Sequence, residues 1–294
     1  MRILTIDGGG IRGLLPALVL AAFETRTGRS IAKYFDLIVG PSTGGILTLG
    51  LAAGLPAMRL AEFYLERGAA IFSQSLKKRL NSLGGLVDEL YDAGELEVAL
   101  ADVFGDRLLS SVETRAMAVA YDIEARERVL FRSWAGEDYR LADVGRATSA
   151  APVYFEPFPI RSLSGRVRPC IDGGMVANNP SLLAFTEAEG PHYIVSMGTG
   201  RRDRPILYAD ARDFGAAQWA RHLVDIAFSA QAEEAHLACR AWLGSNYVRL
   251  QADLPEEVAM DATDARSFAV LKLAATRLAD SPEAARALEL VGAA

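Results

Sequence analysis

Residues 37–51 read Leu37-Ile38-Val39-Gly40-Pro41-Ser42-Thr43-Gly44-Gly45-Ile46-Leu47-Thr48-Leu49-Gly50-Leu51. An apolar strand-like run ends in Gly-Pro-Ser-Thr-Gly, and an apolar helix-like run follows from Ile46. Strand, sharp turn and helix in that order are the setting of a nucleophile elbow, with Gly40 and Gly44 flanking Ser42. Such a turn lifts one hydroxyl off the end of a strand and aims the next helix's positive N-terminus at it. Taken alone the pattern also fits an ordinary Gly/Ser turn, so its neighbours decide.

Outward from this stretch lie two further glycine clusters. Asp7-Gly8-Gly9-Gly10-Ile11-Arg12-Gly13 follows the branched apolar run Arg2–Ile6 and precedes the helix-like Leu14–Phe23. Three consecutive glycines admit positive φ and let a ligand approach bare backbone. Their N–H groups form an anion cradle, to which Arg12 adds a fixed charge. Farther on, Ile171-Asp172-Gly173-Gly174 precedes Asn178-Asn179-Pro180. Asn179 as N-cap and Pro180 as first helical residue predict a helix to about Glu189. That leaves Asp172 on a glycine-flanked bend, either exposed to a cleft or simply an Asx-turn aspartate.

These three segments together resemble the patatin-like phospholipase family, over residues 1 to about 200. Asp-Gly-Gly-Gly-x-Arg-Gly matches at 7–13, the elbow at 40–44 and Asp-Gly-Gly at 172–174. Pro41 departs from the pattern, which more often has a small or hydroxylated residue there. The resemblance implies a serine acyl hydrolase acting on phospholipid esters through a Ser42–Asp172 dyad. It places the oxyanion hole on Gly8, Gly9, Gly10 and Arg12, with Gly9 and Gly10 N–H the best donors, and it implies no cofactor. Phospholipid at a membrane surface is the expected substrate. The stretch Tyr193–Gly200 and the C-terminal extension further resemble effectors of bacterial anti-phage systems that cyclic nucleotides switch on. A cyclic-nucleotide activator and self-association are therefore expected as well.

The chain has only three histidines, His192, His222 and His236, none in a glycine-rich turn, so each reads as a surface or packed residue. Gly8-x-Gly10-x-x-Gly13 also formally matches a dinucleotide fingerprint. That motif needs an acidic residue ending the second strand, and the nearest candidate, Asp36, begins it. A non-enzymatic module built on the same loop is the other alternative. The net charge of −6 argues against nucleic-acid polymers as partners. Two cysteines, Cys170 and Cys239, give neither a disulfide framework nor metal-ligand spacing.

Strand-like runs near 2–6, 36–39, 115–121, 128–132, 168–171, 193–197 and 246–250 alternate with helix-like runs near 14–26, 45–53, 57–71, 95–103, 143–148, 180–189, 213–243 and 265–279. The alternation predicts an α/β three-layer sandwich, its mostly parallel central sheet covered by helices on both faces, with the site at the strands' carboxyl ends. One domain over 1–294 is expected, with 205–294 a C-terminal helical extension. No apolar run reaches the roughly 18–20 residues of a membrane span, and Asp7 with its glycines does not suit a signal peptide, so the expected location is the cytoplasm. The irregular segment Phe72–Tyr91 is a candidate lid, membrane-facing loop or plain surface loop. Lys77-Lys78-Arg79 and Arg201–Arg204 are candidate contacts for anionic head groups.

Overall fold

The structure, a computed structural model, describes residues 1–73, 89–190, 192–201 and 205–293. Most of the candidate lid, with Lys77-Lys78-Arg79, and Arg202, Asp203 and Arg204 lie outside the described residues. Among the described residues eight strands form one sheet: β1 Arg2–Ile6, β2 Leu37–Pro41, β3 Arg115–Asp122, β4 Glu127–Arg132, β5 Phe158–Arg161, β6 Val167–Asp172, β7 Tyr193–Met197 and β8 Tyr247–Leu250. The order is β5-β6-β3-β2-β1-β7-β8, with β4 paired to β3. Strands β3, β2, β1, β7 and β8 run parallel, and β4, β5 and β6 join antiparallel.

Among the described residues the α-helices are α1 Leu14–Thr27, α2 Ser42–Ala52, α3 Ala57–Ile71, α4 Gly94–Phe104, α5 Leu141–Thr148, α6 Gly174–Ala177, α7 Ser181–Glu187, α8 Tyr208–Ala211, α9 Ala216–Leu243, α10 Ala265–Ala279 and α11 Pro282–Leu290. Alternation along the strands divides the core. Leu4, Ile6, Ile38, Ala118 and Val195 pack against α1, α2, α3, α5 and α10 on one face. Ile3, Leu37, Val39, Met117 and Ile194 pack against Leu183 and Ala184 of α7 and Cys239 of α9 on the other. This is the expected three-layer sandwich. Because β2 is buried on both faces, its five residues read as a continuous apolar run rather than an alternation.

Seven strands and eight helices fall where the sequence predicts them. The elements not predicted are β5, the four-residue helices α6 and α8, and α11. Strand β5 contains Pro159, which demotes a run to an edge position, and β5 is indeed the sheet's edge. Helix α7 begins at Ser181, one residue after the predicted Pro180, and Asn179 Oδ1 accepts the Ser181 N–H at 3.1 Å, the bond the predicted cap would make. Helix α11 was missed despite a clear start signal: Ser281 accepts the Ala284 N–H at 3.1 Å and Pro282 occupies the first turn. Within 205–293 lies β8 as well as helices; it extends the parallel sheet, so this region is not purely helical.

The antiparallel flank sets the position of the site. On the edge of β3 away from β4, β2 pairs as far as Pro41 opposite Val119, and β6 takes over with Asp172 opposite Ala120. Two strands of opposite direction thus meet end to end on one neighbour. Both end there, so the chain leaves β2 at Ser42 and β6 at Gly173 at adjacent places.

Candidate active site

The elbow forms although Pro41 precedes the serine: Pro41 is extended, at φ −94° and ψ 160°. Ser42 takes φ +53°, a conformation uncommon outside glycine and expected of a sharp strand-to-helix turn. The chain crowds so closely here that a Cβ on Gly40 would sit 2.2 Å from the Gly44 carbonyl oxygen. One on Gly44 would sit 2.1 Å from that of Ile6. Ser42 is the first residue of α2, so its hydroxyl lies at that helix's positive end. Its backbone N–H donates to Thr148 Oγ1 at 2.9 Å.

The glycine loop leaves β1 beside the elbow. Gly8 does not serve as expected: its N–H donates to the Asn178 carbonyl at 3.1 Å and is used up in tying the loop to the segment after Asp172. The Ile11 N–H is likewise taken, by Met260 at 2.8 Å. The N–H groups of Gly9 and Gly10 have no partner among the described residues, and Gly10 lines the same pocket as Ser42. Gly10 has φ +58°, and a Cβ there would meet the Met260 carbonyl oxygen at 2.2 Å. The loop's packing at Gly10 therefore demands bare backbone.

Arg12 does not clamp this loop through its side chain: the guanidinium makes no hydrogen bond or ion pair among the described residues, its Nε is buried without a partner, and only the backbone N–H bonds within the loop, to the Gly9 carbonyl at 3.2 Å. Burial holds its pKa below the ordinary value. The clamp is Arg249 on β8, missed in the sequence. Its guanidinium donates to both Asp7 oxygens, at 2.8 and 2.5 Å, and to Ser196 Oγ at 2.8 Å. The Asp7 charge raises the Arg249 pKa. No local pattern marks this pair, because its partners sit at opposite ends of the chain and meet through the β1-β7-β8 register.

Asp172 is the last residue of β6 and fully buried, because pairing with Ala120 draws it into the sheet; it lines the pocket and also makes the Asx-turn bond that the glycine-flanked bend offered as the alternative. Its N–H donates to the Ala150 carbonyl at 2.9 Å, and its Oδ1 accepts the Gly174 N–H at 2.6 Å. Oδ2 is buried with no partner in hydrogen-bond geometry. Burial pushes the carboxyl up to about 7; the neighbouring Ser42 hydroxyl and the Gly174 N–H, which favour the charged form, offset part of this. A Cβ on Gly173 would lie 2.0 Å from the Val119 carbonyl oxygen, so this glycine is required by close approach.

Ser42, Asp172 and Gly10 share one pocket, about 660 Å³ with its open mouth included. Its apolar lining includes Ile46, Phe63, Ile71, Phe155, Phe228 and Met260. No histidine lines it: His192 packs edge-on against Phe185, His222 stacks on Phe214, and His236 Nδ1 lies 3.3 Å from the Tyr247 hydroxyl. The Cys170 thiol is buried and pushed up to about 12, so it stays protonated at neutral pH. Asp36 lies at the amino end of β2, the far end of the sheet from the glycine loop, where a dinucleotide's ribose would not reach it. A buried acid, a hydroxyl and the free Gly10 amide at one pocket are the kinds of group that acyl transfer requires as base, nucleophile and anion stabiliser.

A family model described as patatin-like phospholipase matches residues 4–185. A cGAMP-activated phospholipase of Pseudomonas aeruginosa is 34% identical over 264 residues, covering 85% of this chain and 77% of the relative. Patatin-like protein 2 of Arabidopsis thaliana is 32% identical over 311 residues, covering 86% and 76%. Among solved structures, VipD from Legionella pneumophila aligns with a TM-score of 0.45 at 13% identity, over 95% of this chain and 66% of that one.

Proposed function

The chain belongs to the patatin-like phospholipase family and is an ester hydrolase of that kind; we propose that Ser42 and Asp172 carry the reaction as a two-residue centre. Asp172 Oδ2 takes the Ser42 proton as Oγ attacks the acyl carbonyl. The N–H groups of Gly9 and Gly10 and the N-terminus of α2 stabilise the tetrahedral oxyanion. In comparable sites one such donor is worth about 3 kcal/mol of barrier. The protonated acid then delivers its proton to the departing alcohol, leaving an acyl-serine. In the second half Asp172 activates a water that releases the fatty acid. An acid with a pKa near 7 suits both duties at neutral pH.

The observation that carries this reading is the end-to-end meeting of β2 and β6, which brings one hydroxyl and one buried carboxylate to a single apolar pocket. That pocket suits a hydrocarbon chain, so a membrane phospholipid is the proposed substrate. We place the enzyme in the cytoplasm, in transient contact with the inner membrane face; no helix among the described residues is long and apolar enough to cross a membrane. The chain works as one catalytic domain, since 205–294 supplies Val224, Phe228 and Met260 to the pocket and Arg249 to the loop.

Turnover of a soluble short-chain ester by wild type, Ser42→Ala and Asp172→Asn tests the centre. Both variants are expected to stay folded and lose about a thousandfold or more. A rate that survives Asp172→Asn but disappears with a histidine substitution would replace the two-residue centre by a triad.

Likeness to a relative named as cGAMP-activated favours a second element: a cyclic nucleotide switches the enzyme on, in an anti-phage role. Lipid hydrolysis with and without cGAMP, with light scattering alongside to read self-association, tests this. Equal rates without nucleotide would remove it.

A further inference from the structure

Thr148, the last residue of α5, is fully buried and touches both halves of the centre. Its Oγ1 donates to the Val119 carbonyl at 2.5 Å and accepts the Ser42 N–H at 2.9 Å. Its own carbonyl accepts the Gly173 N–H at 3.2 Å. Two residues on, the Ala150 carbonyl accepts the Asp172 N–H at 2.9 Å. A threonine hydroxyl has one proton to give, and here that proton and one lone pair are both committed to backbone.

These bonds fall where the fold needs them. Val119 sits on β3 at the point where β2 gives way to β6. The Ser42 N–H belongs to the first turn of α2, where helices leave donors without internal partners. Positive φ turns Ser42 out of the sheet ladder, so without Thr148 that buried N–H would be orphaned. The Thr148 side chain also lies against Gly45, where a Cβ would come within 2.7 Å of its methyl group. One side chain and its adjoining backbone therefore fix the serine turn and the aspartate turn to the same point on β3.

We propose that Thr148 is a positioning residue for ester hydrolysis: it holds Ser42 in its left-handed conformation and sets the separation of the Ser42 hydroxyl from Asp172. It does not touch substrate. The inference rests on Ser42 and Asp172 being the catalytic pair.

The test is steady-state kinetics on a soluble short-chain ester, with a thermal melt of each variant. Thr148→Val keeps the shape and removes both hydroxyl bonds. Its kcat is expected to fall about 10–100-fold with KM within about twofold, as for a displacement of the order of an ångström at a reacting group. Thr148→Ser restores the hydroxyl and is expected to stay within about threefold of wild type. If Thr148→Val does not fold, Thr148→Cys decides: its thiol is the weaker partner, and kcat about tenfold below Thr148→Ser supports the proposal, while equal rates overturn it. A folded Thr148→Val with unchanged kcat, a loss confined to KM, or a Thr148→Ser as slow as Thr148→Val each overturn it. Ser42→Ala in the same assay separates the premise: if it retains turnover, the catalytic pair itself is wrong.

Discussion

At Asp172 the cost of burial and the demands of chemistry are the same quantity. An unfolded aspartate titrates near 3.8, and the buried one near 7. Between those values the folded chain binds more protons, so this residue's contribution to stability falls as pH rises through the interval. Above pH 7 the buried charge is carried in full, a penalty on the order of 4 kcal/mol for about three pH units. Asp172→Asn should therefore melt higher than wild type at pH 8, by a margin that shrinks at pH 5, while its turnover is lost. Melts at both pH values and an ester assay check this. For wild type, kcat/KM should rise about tenfold per pH unit below an apparent pKa of about 7 and level off above it. An acid limb centred near 4 would mean that the base is more exposed than its burial indicates. The turns at Ser42 and Asp172 were legible in the sequence because glycine neighbours mark both. The burial that tunes Asp172 was not, because it comes from pairing with Ala120, a contact that no local pattern announces.

Among the elements, the glycine loop is the most sensitive. Gly9→Ala would put a Cβ 2.4 Å from Thr199 Oγ1, and Gly10→Ala would combine a 2.2 Å contact with positive φ. Gly10→Ala should lose at least about a hundredfold in turnover, the scale of one oxyanion donor, and lower the melting temperature as well. Gly9→Ala has a side chain, not backbone, to push aside, so its melting temperature should fall less. Paired assays of rate and melting separate the two. Strands β1, β2 and β7 and helices α1, α3 and α10 were readable from apolar runs and period. The expectation for Gly8 failed because its N–H looks free until the segment after Asp172 folds back and Asn178 takes it. Motif identity gives the loop, whereas tertiary contact decides which of its amides remain available.

For the whole molecule, the parallel sheet ties the C-terminal third to the chemistry. Arg249 enters from β8, bonds Ser196 of β7 and ends on Asp7 at the root of the glycine loop. Arg249→Met leaves the Asp7 carboxyl, whose pKa burial already raises, buried without its partner, which in comparable pairs costs about 3–5 kcal/mol. Denaturant unfolding of Arg249→Met, Asp7→Asn and the double variant should show the double losing less than the sum of the singles, as coupled partners do. Simple additivity would mean that the pair does not support the loop. All of this converges on one relation, the activation of the Ser42 hydroxyl by the Asp172 carboxylate. The direct measurement is the rate at which a fluorophosphonate labels Ser42, followed by intact mass across pH 5–9 in wild type and Asp172→Asn. The account predicts a wild-type rate that climbs through pH about 7 and an Asp172→Asn rate at least about a hundredfold lower and flat. Equal labelling of the two proteins, or a label on another residue, would contradict it.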